Sequence, residues 1–562
     1  MQSDWYDIMR QYTTRLVRIC SVSPDKGELL VAEEVLRLLR ADGLESIYTA
    51  NGLDPLPDDP TGRQNAYAFL RGSSPRTVVL LGHIDTVDTT DFGPLEPWAL
   101  DPEGLATRQD ALAELAPGLA EDLAAHPGDW MFGRGSIDMK SGVAVTIAVM
   151  RHLAEMAREG RLPLSVVLLA TPDEENESAG VLQAVRFLLH LREQYGLEYL
   201  GAINTDYTTA RYPGDQHRYI YTGTIGKLLP SFLVVGHASH VGDPFDGVDA
   251  NLLAAELIRD LSMNDELCDV VRGQSTLPPV TLHATDLKTS YDVQLPFAAY
   301  FYLNVLTFST APRKLLKRLR RRAKATLKRT LKRIDKSERR WILTSGDKAR
   351  LERLKARSGV VLTYSELHAE VEQRLGQEHI AAELSAAWES MPAGLDARER
   401  CLHLVRHLWT LSGKRGPAIV IYYSPPYYPH VAATPCLLHE VVAAVAAAHT
   451  ELNLEVQEYY PFISDMSYLR LDPGMDMATL TANIPTWQEP NTTARSGRYS
   501  LPLVAIQELG LPVVNLGPYG RGAHQCGERV LMSYSFGTLP QLLYEVIERL
   551  TDSGSTKEFS YT

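Results

Sequence analysis

The sequence predicts an α/β protein: a mostly parallel sheet flanked by helices, interrupted by an inserted α+β lid domain. Three observations carry this. Strand-like apolar runs alternate with helical patterns through residues 1–214; consecutive strand signals replace that alternation from residue 215; and the alternation returns at residue 436. The 562 residues also exceed what one core usually organises, so more than one domain is expected.

The opening segments "YDIMRQYTTRLVRIC" and "GELLVAEEVLRLLRADGL" space apolar residues by three and four, which predicts a helix pair. "NAYAFLRG" and "RTVVLLGHIDTV" are strand-like. A Gly-rich loop then enters a long helix, "DMKSGVAVTIAVMRHLAEMAREG". "LPLSVVLLATPDEE" is a strand ending in acids, "AGVLQAVRFLLHLREQYG" a helix, and "LEYLGAINTD" a strand ending in Asp206.

The second region spans residues 215–435. "RYIYTGTIGKLLPSFLVVGHASH" alternates polar and apolar residues and predicts an antiparallel strand pair. A helix ("DANLLAAELIRDL") and two strands ("PVTLHATDL" and "FAAYFYLNVLTF") follow. The basic stretch "RKLLKRLRRRAKATLKRTLKRIDKSERR" places Leu316, Leu319, Ala323, Leu327, Leu331 and Ile334 on one face. We read it as a lid helix packed by that stripe, in preference to a contact for nucleic acid or membrane. From about residue 335 to 415 the pattern is helical ("ELHAEVEQRL", "AAELSAAWESM"), a decoration without evident chemistry, before the strand "GPAIVIYYS". Residues 436–562 return to α/β alternation.

Composition narrows the function. A net charge of −13 argues against a general nucleic-acid binder. No secretory leader pattern opens the chain and no apolar run is long enough to span a membrane. Five scattered cysteines without a CxxC pair fit a reducing cytoplasm and exclude a thiolate zinc site.

The chemistry collects at strand ends. Residues two apart on a strand share a face, so His83 and Asp85 project together from the carboxyl end of "TVVLLGH". Ligands of open α/β sheets bind at that edge. Glu174 and Glu175 close the next strand there, Asp206 another, Asp138 sits in "GRGSIDMKSG", and His524 in "GPYGRGAHQCGE". Alone, each has an ordinary reading as a turn former, helix cap or surface histidine. Together, five carboxylates in one crevice would repel one another and raise each other's pKa. A divalent cation removes that difficulty, and a His/carboxylate donor set suits zinc, with manganese or cobalt as alternatives.

"LLGHIDTV", "GRGSIDMKSG", "ATPDEEN", "INTD" and "GAHQCGE" resemble, in order, the motifs of the metallopeptidases related to acetylornithine deacetylase, succinyl-diaminopimelate desuccinylase, aminoacylase and carnosinase. The large size, the "HIDTVDTTDFGPLEPWALDP" stretch and the helical insertion resemble the RocB-type arginine-utilization subgroup. The resemblance implies two metal ions bridged by Asp138, with His83 and Asp206 completing one site and Glu175 and His524 the other. It implies that Asp85 orients the His83 imidazole and that Glu174 is the general base for the attacking water. His240, in "VVGHASHVGDPFDGVDA", matches a lid histidine that helps hold the carbonyl oxyanion in the partner subunit, which implies a homodimer through the lids.

Two positions depart from that pattern. Asp292 in "YDVQLP" stands where relatives carry Asn, and Leu306 and Thr307 stand where relatives carry a carboxylate-binding Arg. Asp292, Asn304 and Thr307 are therefore the candidate substrate contacts. An acid gained and an Arg fork lost suit a cationic or neutral group near the scissile bond. The expected activity is metal-dependent hydrolysis of an amide bond in an amino-acid derivative or small peptide, in arginine or ornithine catabolism. The alternative is a catalytically inactive relative kept for binding or regulation.

Overall fold

The computed structural model describes residues 2–489 and 498–552. The strands of its two main sheets are β1 (Ala50–Pro55), β2 (Gln64–Leu70), β3 (Arg76–His83), β4 (Ser165–Thr171), β5 (Glu198–Asn204), β6 (Arg218–Tyr221), β7 (Gly226–Val235), β8 (Val280–Asp286), β9 (Ala298–Thr307), β10 (Val360–Thr363), β11 (Ala418–Tyr428), β12 (Leu454–Gln457) and β13 (Val513–Asn515). The chain divides into two compact units. Unit 1 comprises Met1–Ile225, Val431–Leu471 and Pro502–Thr562; unit 2 comprises Gly226–His430 and Asp472–Leu501.

Unit 1 holds an eight-stranded sheet in the order β1-β2-β4-β3-β5-β13-β6-β12. Its middle is parallel: β3 pairs with β4 and β5, and β5 with β13. The run Val78, Val79, Leu80 and Leu81 is buried on both faces, as a parallel strand covered by helices on either side requires. Helix Lys140–Arg158 packs on β3 and buries Val143, Ile147 and Met150. Register then decides where the polar ends emerge. His83 lies opposite Thr171, and Leu81 opposite Asn204. The carboxyl ends of β3, β4 and β5 are thus level, and the residues that follow them leave the sheet along one edge.

Unit 2 holds a five-stranded sheet in the order β8-β9-β7-β11-β10, antiparallel except for the β10–β11 pair. Leu233, Tyr300 and Val420 pack with Leu367, Val371, Val405 and Leu408 of helices Tyr364–Leu375 and Ala397–Ser412. The helical insertion therefore covers one face of this sheet and is part of its core. On the opposite face Phe232 and Phe301 stack with ring centroids 4.5 Å apart. Helix Pro312–Ser345 buries Leu315, Leu316, Leu319, Ala323, Leu327 and Leu331. Its outward arginines meet acids: Arg320 with Glu366 at 2.6 Å, Arg322 with Glu266 at 2.5 Å and Arg333 with Glu256 at 2.6 Å. The apolar stripe is the packed face, and part of the basic face is neutralised within the unit.

Two sequence expectations are corrected. The expected antiparallel pair in "RYIYTGTIGKLLPSF" does not form: β6 joins the large sheet, parallel to β12, whereas β7 lies in the middle of the small one. The link between them cannot turn back on itself because its donors are taken elsewhere. Thr222, Thr224 and Ile225 N–H groups donate to the carbonyls of Gln457, Val431 and Tyr460. Gly223 fits there because a Cβ would overlap the Val431 carbonyl. The insertion is also not wholly helical: "VVLT", rich in β-branched residues, forms β10 on the sheet edge. Among the described residues no helix is long and apolar enough to cross a membrane.

Leu80 is fully buried at the centre of the large sheet. Leu80→Ala is expected to cost about 2–5 kcal/mol through lost transfer energy and the cavity left behind, read as a fall in the urea midpoint of unfolding at unchanged slope.

Candidate metal centre

All the strand-end residues singled out in unit 1 converge. His83 Nε2 lies 3.0 Å from one carboxylate oxygen of Asp138, and His524 Nε2 lies 3.1 Å from the other. His524 Nε2 is also 2.8 Å from Glu175, and His83 Nε2 is 3.9 Å from Glu174. Three groups of potential metal ligands result, each with its donor atoms within 4.8 Å of one another: His83, Asp138 and Asp206; Asp138, Glu175 and His524; and His83, Glu174 and Glu175. The first two groups share only Asp138.

The electrostatics of the pocket fit a cation. Burial is the main force raising the Glu174 and Glu175 pKa values, and neighbouring carboxylates add to it: Glu175, Asp465 and Asp206 around Glu174, and Asp138 around Glu175. Burial and the Asp138 charge push Asp206 up to about 7. Burial opposes a charged His83, but Asp138 and Asp85 outweigh it and hold the imidazole pKa well above its usual value. Hydrogen bonds to Asp138 and Glu175 push His524 up to about 11. Protons are thus drawn to a site whose carboxylates need positive charge, and imidazole and carboxylate donors are those that zinc, manganese or cobalt accept.

Asp85 makes contacts in two directions. Its carboxylate accepts the backbone N–H groups of Glu174 at 3.1 Å and Glu175 at 2.9 Å. His83 Nδ1 lies 3.2 Å from the Asp85 carbonyl oxygen and 3.5 Å from its carboxylate. A proton on Nδ1 donated to that carbonyl would leave Nε2 free to give its lone pair to a bound cation. Asp85 thus fixes the backbone of the glutamate pair, and both its carbonyl and its carboxylate lie beside His83 Nδ1.

Several supporting residues escaped the sequence reading. Glu528 accepts from the N–H groups of Ile137 at 3.2 Å and Asp138 at 3.3 Å, and takes a 2.7 Å bond from Arg134. Asn515 accepts from Asp206 N–H at 3.0 Å and donates to its carbonyl at 2.8 Å. Gly517 lets the following loop pass against Asp206, because a Cβ there would overlap the Asp206 carbonyl. Glu28, fully buried in the first turn of helix Gly27–Arg40, accepts from Asp173 N–H at 2.8 Å, one residue before Glu174. Arg63 bonds Asp59 at 2.7 Å and also pairs with Asp173. Asp465, buried at the site, accepts from Thr171 at 3.0 Å. Of these, Glu528 carried a readable signal, since it closes the same short motif as His524.

The lid candidates lie in unit 2. His240 is exposed, and its Nδ1 accepts from Gly242 N–H at 3.0 Å. Asp292 is exposed, pairs with Lys288 and accepts from Gln294 N–H at 2.9 Å. Asn304 is half-buried on β9, and Thr307 is buried with its hydroxyl 3.2 Å from His430 Nδ1.

The description "Peptidase family M20/M25/M40" matches residues 79–491. The chain belongs to this family. Protein RocB of Bacillus subtilis (strain 168) is 33% identical over 511 residues, covering 89% of this chain and 87% of that protein, in agreement with the RocB-type subgroup. The fold resembles that of aminopeptidase PepT from Bacillus cereus ATCC 10987, with a TM-score of 0.52 at 13% identity over 97% of this chain and 98% of that one. It also resembles the Bacillus subtilis YXEP protein, described as a dinuclear metal-binding peptidase from the M20 family, with a TM-score of 0.50 at 10% identity over 98% and 99%. Family membership makes this chain a metal-dependent hydrolase.

Two substitutions separate the two ligand sets. His524→Ala should halve the bound metal, and Asp138→Ala should abolish stable binding of both ions, measured by elemental analysis of protein loaded and then desalted.

Proposed function

We propose that this protein hydrolyses an amide bond in an amino-acid derivative or small peptide, with two divalent ions, zinc first, held by His83, Asp138, Asp206, Glu175 and His524. The observation that carries the reading is the Asp138 carboxylate, whose two oxygens face two separate donor sets. Ions bound there would supply Lewis acidity to the scissile carbonyl and the attacking water.

The chain's own residues do the rest. Glu174 Oε2 takes the proton from the attacking water and returns it to the leaving nitrogen. Its pKa is raised, first by burial and then by the neighbouring carboxylates, which makes it a stronger base than a solvent-exposed glutamate. Asp85 and Glu28 hold the backbone on which it sits, so the base needs little reorganisation. The inactive-relative reading is not favoured, since the donor set and the candidate base are all present.

Substrate contacts are assigned to Asp292, Asn304 and Thr307, and oxyanion support to His240 acting across a homodimer. The dimer reading is supported by β8, the outermost strand of its sheet, where Val280 is 42% and Leu282 56% exposed. An uncovered edge with apolar side chains is a template for strand pairing. All five cysteines are free thiols, in keeping with action in the cytoplasm.

The test is a hydrolysis screen of N-acyl and dipeptide derivatives of arginine, ornithine and related amino acids with zinc, manganese or cobalt. Activity should vanish on chelation and return with metal. Glu174→Gln should keep its metal and lose about 10²–10⁴-fold in kcat. Wild type and variant equally inert on a broad amide library, both metal-loaded, would overturn the reading. Leu282→Asp should shift the protein from dimer to monomer in light scattering.

A further inference from the structure

Beside the candidate centre, unit 1 contains a hollow of about 420 Å³ whose lining includes Thr209, Arg211, Arg521, Gln525 and Arg529. It follows Asp206 by three residues on one side and brackets His524 on the other. Three guanidinium groups line it, and no lining residue is acidic.

One acid pairs with two of these three arginines. Asp122 accepts from Arg529 Nε at 3.0 Å and also lies 3.3 Å from Arg521. One carboxylate therefore serves two arginines. Arg529 Nη2 also donates to Asp122, and its Nη1 donates to the Gly527 carbonyl at 2.7 Å. Asp215 accepts from the Arg211 backbone N–H at 2.9 Å and the Tyr219 hydroxyl at 2.7 Å and lies 2.9 Å from His217, and none of these contacts involves the Arg211 guanidinium. The Arg211 guanidinium instead lies over the Tyr219 ring, 5.5 Å from its centroid. Arg521 Nε is buried and has no hydrogen-bond partner among the described residues. A buried donor left unmade is costly, and guanidinium groups match the planar and tetrahedral oxygens of carboxylate and phosphate.

We propose that this hollow is an oxyanion subsite, with Arg211 and Arg521 as its recognition residues and the hydroxyl of Thr209 and amide of Gln525 as polar neighbours. Its ligand is a carboxylate or a tetrahedral oxyanion such as phosphate or sulfate. Because its lining residues flank His524 in sequence, the anion is either carried by the substrate or supplied as a separate effector.

Inorganic sulfate is the probe, titrated calorimetrically into the full-length protein, both metal-loaded and after chelation. One saturable site per chain is expected in both states. Arg521→Ala should weaken it at least tenfold, and Arg521→Lys less. Arg211 is exposed, so Arg211→Ala, with a similar expected loss, tests the site even if Arg521→Ala does not fold. Sulfate binding that is absent from the wild type, unchanged in the Arg211→Ala/Arg521→Ala double variant, or lost on chelation would overturn the proposal.

The source of the anion is read from kinetics, and this arm rests on the proposed amide hydrolysis. Sulfate that raises KM at constant kcat, for a substrate with a free carboxylate, supports a subsite filled by the substrate itself. Sulfate that changes kcat without competing supports an effector site. A protein that hydrolyses nothing in the screen but still binds sulfate through Arg211 and Arg521 counts against the proposed reaction and in favour of the subsite.

Discussion

The cost of burying several carboxylates together, which their mutual repulsion increases, is the constraint around which unit 1 is arranged. Asp138, Glu174, Glu175, Asp206 and Asp465 share one pocket, and each raised pKa among them records the cost of holding several negative charges away from water. A fold tolerates this only where something returns the cost, and bound dications do so. The parallel strands bring the acids to one level. The glycine at 517 and the clamps from Asn515 and Glu528 keep them there at fixed spacing. These features matter because they prevent the acids from separating to relieve their repulsion.

The pair Glu174–Glu175 shows how the same constraint divides labour. Adjacent residues leaving a strand point in different directions, so one carboxylate can face His524 while its neighbour approaches His83. Asp85 secures both peptide N–H groups from the front, and Glu28 secures the peptide before them from behind. The turn is held by carboxylates that are themselves not candidate ligands, which separates the job of building the site from the job of filling it.

Much of this was legible in the sequence, and the reasons differ by residue. His83, Asp138, Glu174, Glu175, Asp206 and His524 could be found because strand ends are readable from apolar runs, and a polar residue at such an end is conspicuous. The large sheet, the small sheet and the long basic helix were readable from periodicity. The supporting residues were not. Asn515 and Glu28 reach the site through side-chain hydrogen bonds to backbone 309 and 145 residues away, and no local pattern distinguishes them from a strand-end amide or a first-turn helix acid. The separation of β6 from β7 was hidden for a related reason: an alternating pattern specifies a strand but not its neighbour, and here carbonyls far along the chain claimed the linking donors.

The strand order carries a consequence for biosynthesis. β13 inserts between β5 and β6, which were made about three hundred residues earlier. Until it arrives, the inner edge of β5 lies open, Asp206 lacks the Asn515 clamp, and neither His524 nor Glu528 exists. Pairings of such long sequence separation form slowly and leave adhesive edges exposed meanwhile. A ribosome-bound chain therefore carries most of the acids and half of the imidazoles, but no finished centre. The centre is completed only once residues 513–528 have been made, and until then an unpaired strand edge has to be shielded.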